Sequence, residues 1–341
     1  MARTKRPAPR PRPAPSAGNG SGGGPRRLGG ANNSRQQPSQ SAQRRIARKR
    51  QQTRTRGWAA VVFVVIAVLV VVLVKVVGGS GSGGNTASGR NPPLANAEVV
   101  HVLATIPASV FNDTGTSVLS QPFSTPKNAP LYGTASKPKL IYYGAEFCPY
   151  CAVMRWAIVI ALSRFGSFHG LKQIESSSTD SAAINVPTFS FHGATYTSKY
   201  LTFSPTEYAD RLGNNFETPP AQDLKAVETY AFPPYTPQAD EAGIPFIDVG
   251  GKYYSVGVSS YMQAQAITLQ NGGPGRLAIA KAMADPSSSV GKGIYAPITI
   301  AQANYLSAAI CATNGDQPAS VCTSKGVMIA AKALKKASVV S

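Results

Sequence analysis

Leu140-Ile141-Tyr142-Tyr143-Gly144 runs directly into Ala145-Glu146-Phe147-Cys148-Pro149-Tyr150-Cys151, and from there into Ala152-Val153-Met154-Arg155-Trp156-Ala157-Ile158-Val159-Ile160-Ala161-Leu162. The first five residues form a short apolar run, expected as a buried strand. Residues 151–165 are apolar almost all round, which predicts a buried helix with Gly166 at its C-terminal cap. A Cys-x-x-Cys therefore stands at a strand-to-helix junction. There Cys148 meets unpaired N–H groups and the positive end of the helix dipole, both of which favour thiolate over thiol. The three-residue offset brings Cys151 one turn into the helix, near enough to bridge yet shielded from solvent. Cys148 is thus the candidate nucleophile and Cys151 the resolving thiol, with Pro149 tolerated at an early helix position.

Two other uses of the pair compete with this one. A structural disulfide across two residues closes a tiny loop and removes little chain entropy. Zinc needs two further ligands at suitable spacing, and the three histidines are scattered at 101, 169 and 192. Redox use is preferred, with no metal site and no cofactor expected.

Working outward, residues 98–111 are expected as a short helix, and 112–139 as a turn-rich segment with four prolines. Residues 171–175 read as a strand. Residues 187–203, rich in Thr, Tyr and Phe with a turn signal at His192-Gly193, read as a β-hairpin. Residues 206–212 and 221–230 look helical. Residues 244–249 and 252–258 flank Gly250-Gly251, a strong two-residue hairpin signal. Helices are expected over 261–269 and 275–284. Thr299-x-x-Gln302 is a capping-box pattern opening a helix through Cys311. The order strand, helix, strand, insertion, hairpin, helix predicts an α/β sandwich: a mixed sheet with flanking helices and an insertion.

The segment from Ala145 to Cys151 resembles the active-site strand and turn of the thioredoxin superfamily. Gly243-Ile244-Pro245-Phe246, leading into the Gly250-Gly251 hairpin, resembles that superfamily's cis-proline loop. The resemblance implies that Pro245 is the cis-proline and Ile244 the residue before it, together lining the site where backbone meets an extended substrate peptide. The Pro-Tyr dipeptide is the one typical of glutaredoxins. More specifically, three parts of the chain look like a poorly characterised membrane-anchored thioredoxin-like family of archaea and actinobacteria. These are the run from Gly144 through Arg155-Trp156 to Gly166, then Pro187-Thr188-Phe189 with Tyr196-Thr197-Ser198-Lys199-Tyr200, and finally Ile244 to Asp248. The likeness covers most of residues 98–322. Thioredoxins place a buried acid six residues before the first Cys, and here that position is Tyr142. A second proline, in Val186-Pro187-Thr188, is assigned to the insertion because hairpin and helix follow Pro245 instead.

Cys311 and Cys322 flank a polar stretch and are expected as a structural disulfide, away from any helix start, although the spacing is also compatible with a relay pair. Glu146, two before Cys148, is in place to handle protons but is read as a solvated loop carboxylate. Arg155, within reach of an acidic partner, and Arg164 are read as surface charges, the default for such residues. Trp156 is read as core. His169 and His192 are read as unremarkable loop residues.

The formal net charge is +19, yet residues 1–57 hold 15 Lys or Arg and no Asp or Glu, leaving +4 for the rest. Residues 1–57 are nearly free of apolar side chains and are expected as a disordered basic cytoplasmic tail. They contain no Phe, Tyr or Trp for base stacking, so no specific nucleic-acid partner is expected. Trp58 to Val74 is 17 residues without charge, and residues 58–77 are expected as one transmembrane helix retained in the bilayer. The positive-inside rule then puts residues 78–97, a Gly/Ser/Asn/Pro linker, and the domain 98–341 outside the cytoplasm. The expected function is a membrane-anchored thiol–disulfide oxidoreductase acting on cysteine-containing proteins and reset by a membrane redox partner. The rivals are a redox-inert module that binds a cell-envelope partner, and a metal- or cluster-carrying domain of glutaredoxin type.

Overall fold

The computed structural model describes residues 91–340. The expected tail, the membrane helix and most of the linker lie outside the described residues. Among those described, no helix is long and apolar enough to cross a membrane.

The first helical segment is two helices rather than one. α1 (Ala97–Ala104) is capped by Asn96, whose side chain accepts the Glu98 N–H at 2.8 Å. α2 (Ala108–Thr114) starts after Pro107, which lacks a donor and restricts the residue before it, so the single helix expected over 98–111 breaks there. After β1 (Thr125–Pro126) comes β2 (Lys139–Gly144), and then α3 (Pro149–Leu162). Helix α3 ends three residues before Phe165, capped by Ser163 rather than Gly166. Gly166 serves a different purpose: a Cβ there would collide with the Thr197 carbonyl oxygen of the strand beside it.

Residues 167–207 form five short strands: β3 (Ser167–His169), β4 (Lys172–Glu175), β5 (Pro187–Ser190), β6 (Thr195–Thr197) and β7 (Thr202–Glu207). The hairpin expected over 187–203 does not form. β5 pairs antiparallel with β4, β6 antiparallel with β3, and β7 parallel with β2. The helix expected over 206–212 is also corrected, because Thr206 and Glu207 extend β7 opposite Tyr143 and Gly144.

The remaining elements are α4 (Ala221–Tyr230), β8 (Phe246–Val249), β9 (Tyr253–Val256), α5 (Ser260–Leu269), α6 (Arg276–Ala284) and α7 (Ser289–Gly293). They are followed by α8 (Ala296–Thr313), α9 (Ala319–Cys322), α10 (Lys325–Leu334) and β10 (Val339–Val340), which pairs with β1. Helix α8 opens at Tyr295, so Thr299 and Gln302 lie inside it and form no capping box. Thr299 instead exchanges hydrogen bonds with Gln265 of α5 at 2.8 and 3.0 Å.

The principal sheet has the order β7-β2-β8-β9, parallel between β7 and β2 and antiparallel elsewhere. Its faces follow the period-2 alternation of strand side chains. Leu140, Tyr142, Ile247 and Val249 join the large core with α3, α5 and α8. Ile141, Phe246 and Tyr254 join a smaller core with Ala226, Val227 and Tyr230 of α4. The molecule is a mixed α/β fold, its mixed sheet flanked by helices. Helix α3 is buried at 13 of its 14 positions, because sheet, α5, α8 and β5 surround it.

Candidate functional site

Cys148 is the N-cap residue of α3, in an extended conformation, and Pro149 takes the first helical position. The Cys148 sulfur accepts the backbone N–H of Cys151 at 3.1 Å. Its own N–H donates to Ala145 O at 3.2 Å, and its carbonyl accepts the Ala152 N–H at 3.0 Å. The two cysteines are unbridged and buried, Cys148 with 4 % of its surface exposed and Cys151 with none.

Burial on its own would raise the Cys148 thiol. Hydrogen bonds from Cys151 and the charge of Arg155 outweigh it, and the thiol is pulled below its ordinary value. Cys151 moves the other way. Burial pushes its thiol well above the usual value, and its hydrogen bond with Cys148 adds to that, with Arg155 opposing. The outer sulfur therefore ionises more readily than the inner one.

Ile244 packs against the same small cluster as Cys148 and Cys151, together with Ala145, Phe147, Tyr150, Tyr208 and Ala209. The Ile244–Pro245 peptide is cis, and Pro245 opens the approach to β8. Phe147 and Tyr208 meet edge to face, and Tyr208 stacks on Tyr143, giving the cluster an aromatic border. Cys311 and Cys322 are joined by a disulfide with Cα atoms 5.6 Å apart, at the ends of α8 and α9 and apart from this cluster.

The charges beneath the cysteines lie deep, which corrects two expectations. Arg155 is fully buried rather than surface-facing. Its Nε and Nη2 donate to the two Glu207 carboxylate oxygens at 2.8 and 2.6 Å, and Nη2 also donates to Ala145 O at 2.7 Å. Glu146 is not solvated either: 3 % of its surface is exposed and it accepts the Ser190 hydroxyl. Burial raises its carboxyl, with the Ser190 hydrogen bond opposing. The chain of contacts continues outward, since the Glu207 N–H donates to Glu217, whose other oxygen pairs with His192 Nδ1 at 2.6 Å. Arg164 is also no free surface charge. It bonds Asn304, Ser307 and Ser324, and its guanidinium lies 4.1 Å from the Phe111 ring centroid. Trp156 is core, donating to Pro187 O at 2.8 Å.

Sequence reasoning missed Glu207 altogether, and the only signal for it is the parallel register that sets Glu207 beside Gly144, just ahead of the cysteine loop. Among the described residues, no group of three or more His, Cys, Asp or Glu is arranged to hold a metal ion. Chemically, the arrangement offers an ionisable sulfur at a helix start, a second sulfur one turn deeper, and a buried cation under both.

Residues 127–311, more than half of the chain, match the model of a family described as a domain of unknown function (DUF929). No curated protein and no solved structure matches the chain.

Proposed function

We propose that this chain, which belongs to the DUF929 family, is a membrane-anchored thiol–disulfide oxidoreductase with a thioredoxin-like domain outside the cytoplasm. The observation that carries the reading is the state of Cys148: a helix-capping sulfur that accepts the Cys151 N–H and ionises more readily than an ordinary thiol in spite of its burial. A sulfur with no reactive purpose gains nothing from that combination, since burial in apolar surroundings ordinarily makes a cysteine inert. The layout around it also supports a thioredoxin-like domain. A strand enters the cysteine loop, a buried helix leaves it, and the Ile244-Pro245 segment packs beside it before a hairpin and a helix. The anchor and its orientation rest on the uncharged run at 58–74 and the basic bias before it.

In this reading Cys148 forms a mixed disulfide with a cysteine-containing protein client, and Cys151 takes part in resolving it. Ile244 and Pro245 border the place where the client backbone lies. A membrane redox partner restores the pair, and no cofactor enters. Cys151→Ser is expected to accumulate covalent complexes with clients on non-reducing gels of membranes from the native host, whereas Cys148→Ser accumulates few or none. Equal trapping by both variants would remove the division of roles. Trapping by neither, with a pair that glutathione cannot reduce, would favour a redox-inert module that binds an envelope partner.

A further inference from the structure

Two buried donors beside the cysteines have no hydrogen-bond partner: the Tyr142 hydroxyl and Nη1 of Arg155. Buried polar groups are nearly always satisfied, and the exceptions call for a reason. Tyr142 lies on β2 with no exposed surface, its ring edge-on to Phe191 and beneath the Arg155 guanidinium, whose central carbon is 5.9 Å from the ring centroid. Its hydroxyl takes up the place beside Gly144 where a side chain would stand, and the Cys151 sulfur adjoins the same place. A Cβ at Gly144 would collide with the Tyr142 hydroxyl and lie 3.1 Å from Cys151 Sγ. The rest of the guanidinium is committed, Nε and Nη2 being held by Glu207 and Ala145 O.

We propose that Tyr142 is the hydrogen-bond donor that stabilises the Cys151 thiolate, with the buried Arg155 cation positioned behind it. The proposal rests on the redox reading above and adds what that reading lacks, a way to ionise the inner sulfur. The phenol makes no hydrogen bond to the Cys151 thiol, a weak acceptor, and turns to the thiolate, which accepts strongly. Other charged and titratable groups acting on Tyr142 or Cys151 are Cys148 at the N-cap of α3, Arg155 on α3, Glu207 at the end of β7 and Tyr208 directly after it. Glu146 acts in turn on Arg155 and Glu207. None of the carboxylates can donate while ionised.

The requirement holds in both directions of exchange. When the protein dithiol is oxidised, Cys148 attacks a client disulfide and expels one client thiolate. Cys151 then gives its proton to solvent, and its thiolate attacks Cys148 Sγ. The mixed S–S bond breaks, and the second client sulfur leaves as thiolate and takes up a proton. Two electrons pass from the protein pair to the client disulfide. When the protein disulfide is the oxidant, a client thiolate attacks Cys148 and Cys151 departs as the thiolate. The inner sulfur is charged in each case, and Tyr142 serves it in each.

The test uses the full-length chain with oxidised glutathione as the probe. Samples quenched in acid between about pH 6 and 9 are analysed by mass spectrometry for the glutathione adduct at Cys148 and its conversion to the Cys148–Cys151 disulfide. Removing one donor to a charged group predicts that Tyr142→Phe slows conversion by about tenfold or more. It also predicts that the pH of half-maximal conversion moves upward. Incorporating 3-fluorotyrosine at position 142, which keeps the ring and strengthens the donor, should move both quantities the opposite way. Conversion by Tyr142→Phe at the wild-type rate and pH would overturn the proposal and leave the redox reading standing. So would a shift of both variants in one direction. Failure of the wild-type chain to form any adduct or disulfide would overturn the redox reading itself, and this proposal with it.

Discussion

Arg155 and Glu207 have no exposed side-chain surface, and their charges meet at 2.6 Å. Removing two ions from water costs several kcal/mol each, and their attraction offsets that only while both are present. Glu207→Gln leaves a guanidinium buried without its counter-ion and is expected to lower stability by about 3–5 kcal/mol in chemical denaturation. A loss below about 1 kcal/mol, the range of exposed pairs, would mean that water reaches the site. The same residues show what could be read in advance. Cys148 and Cys151 announce themselves because a short spacing at a strand-to-helix junction is a local pattern. Arg155 does not, because a charged side chain on a helix is solvated by default. The partner that draws it inward lies 52 residues along the chain, in a segment whose own residues suggested a helix. Glu146 is misread for the same reason, its partner Ser190 lying on a strand 44 residues away.

Among the elements, the β8–β9 hairpin is the clearest case of local legibility. Gly250 and Gly251 both have positive φ, at 68° and 75°, so the turn required the residues that signalled it. What the turn could not show is the carboxyl beneath it. Asp248 points to the α4 side of the sheet. Burial, opposed by the Gly251 N–H at 2.7 Å and assisted by nearby Asp223, pushes it up to about 8 from 3.8. An acid with a raised folded-state pKa imposes no penalty while both states are protonated. Between the two values only the unfolded chain ionises, so stability falls as pH rises from about 4 to about 8 and then levels off. Asp248→Asn keeps a carbonyl acceptor for Gly251 and cannot ionise. It should match the wild type most nearly at about pH 4.5 and be clearly more stable at about pH 8. Thermal unfolding at both pH values checks this, and an equal gain at each would sink it. The pairing of the strands over 187–207 was illegible by contrast, although their β character was read. Each of the three pairs with a partner that precedes it elsewhere in the chain, and no turn between them records that choice. Thr299 and Gln302 misled in a related way. Their spacing imitates a cap, but Thr299 is spent on Gln265 of a neighbouring helix.

At the scale of the whole molecule, the second cysteine pair joins the proposed topology to the stability of the fold. Cys311 lies in the last turn of α8, the long helix packed against both α3 and α10, and Cys322 ends the short α9 that leads to α10. The bridge spans 11 residues of sequence, a loop whose closure restricts the unfolded chain by about 2–3 kcal/mol. Disulfides of this kind persist in oxidising compartments and are rare where thioredoxin and glutathione keep thiols reduced. The orientation read from the basic tail therefore carries a chemical consequence for two residues far along the chain, Cys311 and Cys322. In native membranes, thiol labelling after denaturation should find Cys311 and Cys322 blocked unless a reductant is added first. The same chain made without its first 77 residues, and so retained in the cytoplasm, should leave them free. Replacing both by Ser should lower stability by about the loop-closure value. Exchange at Cys148 should survive, because the bridge lies outside the cluster that holds the reactive pair. Free thiols at both positions in native membranes would overturn the outward orientation. A fold that survives the double replacement while exchange collapses would make the second pair a relay, through which electrons reach Cys148 and Cys151.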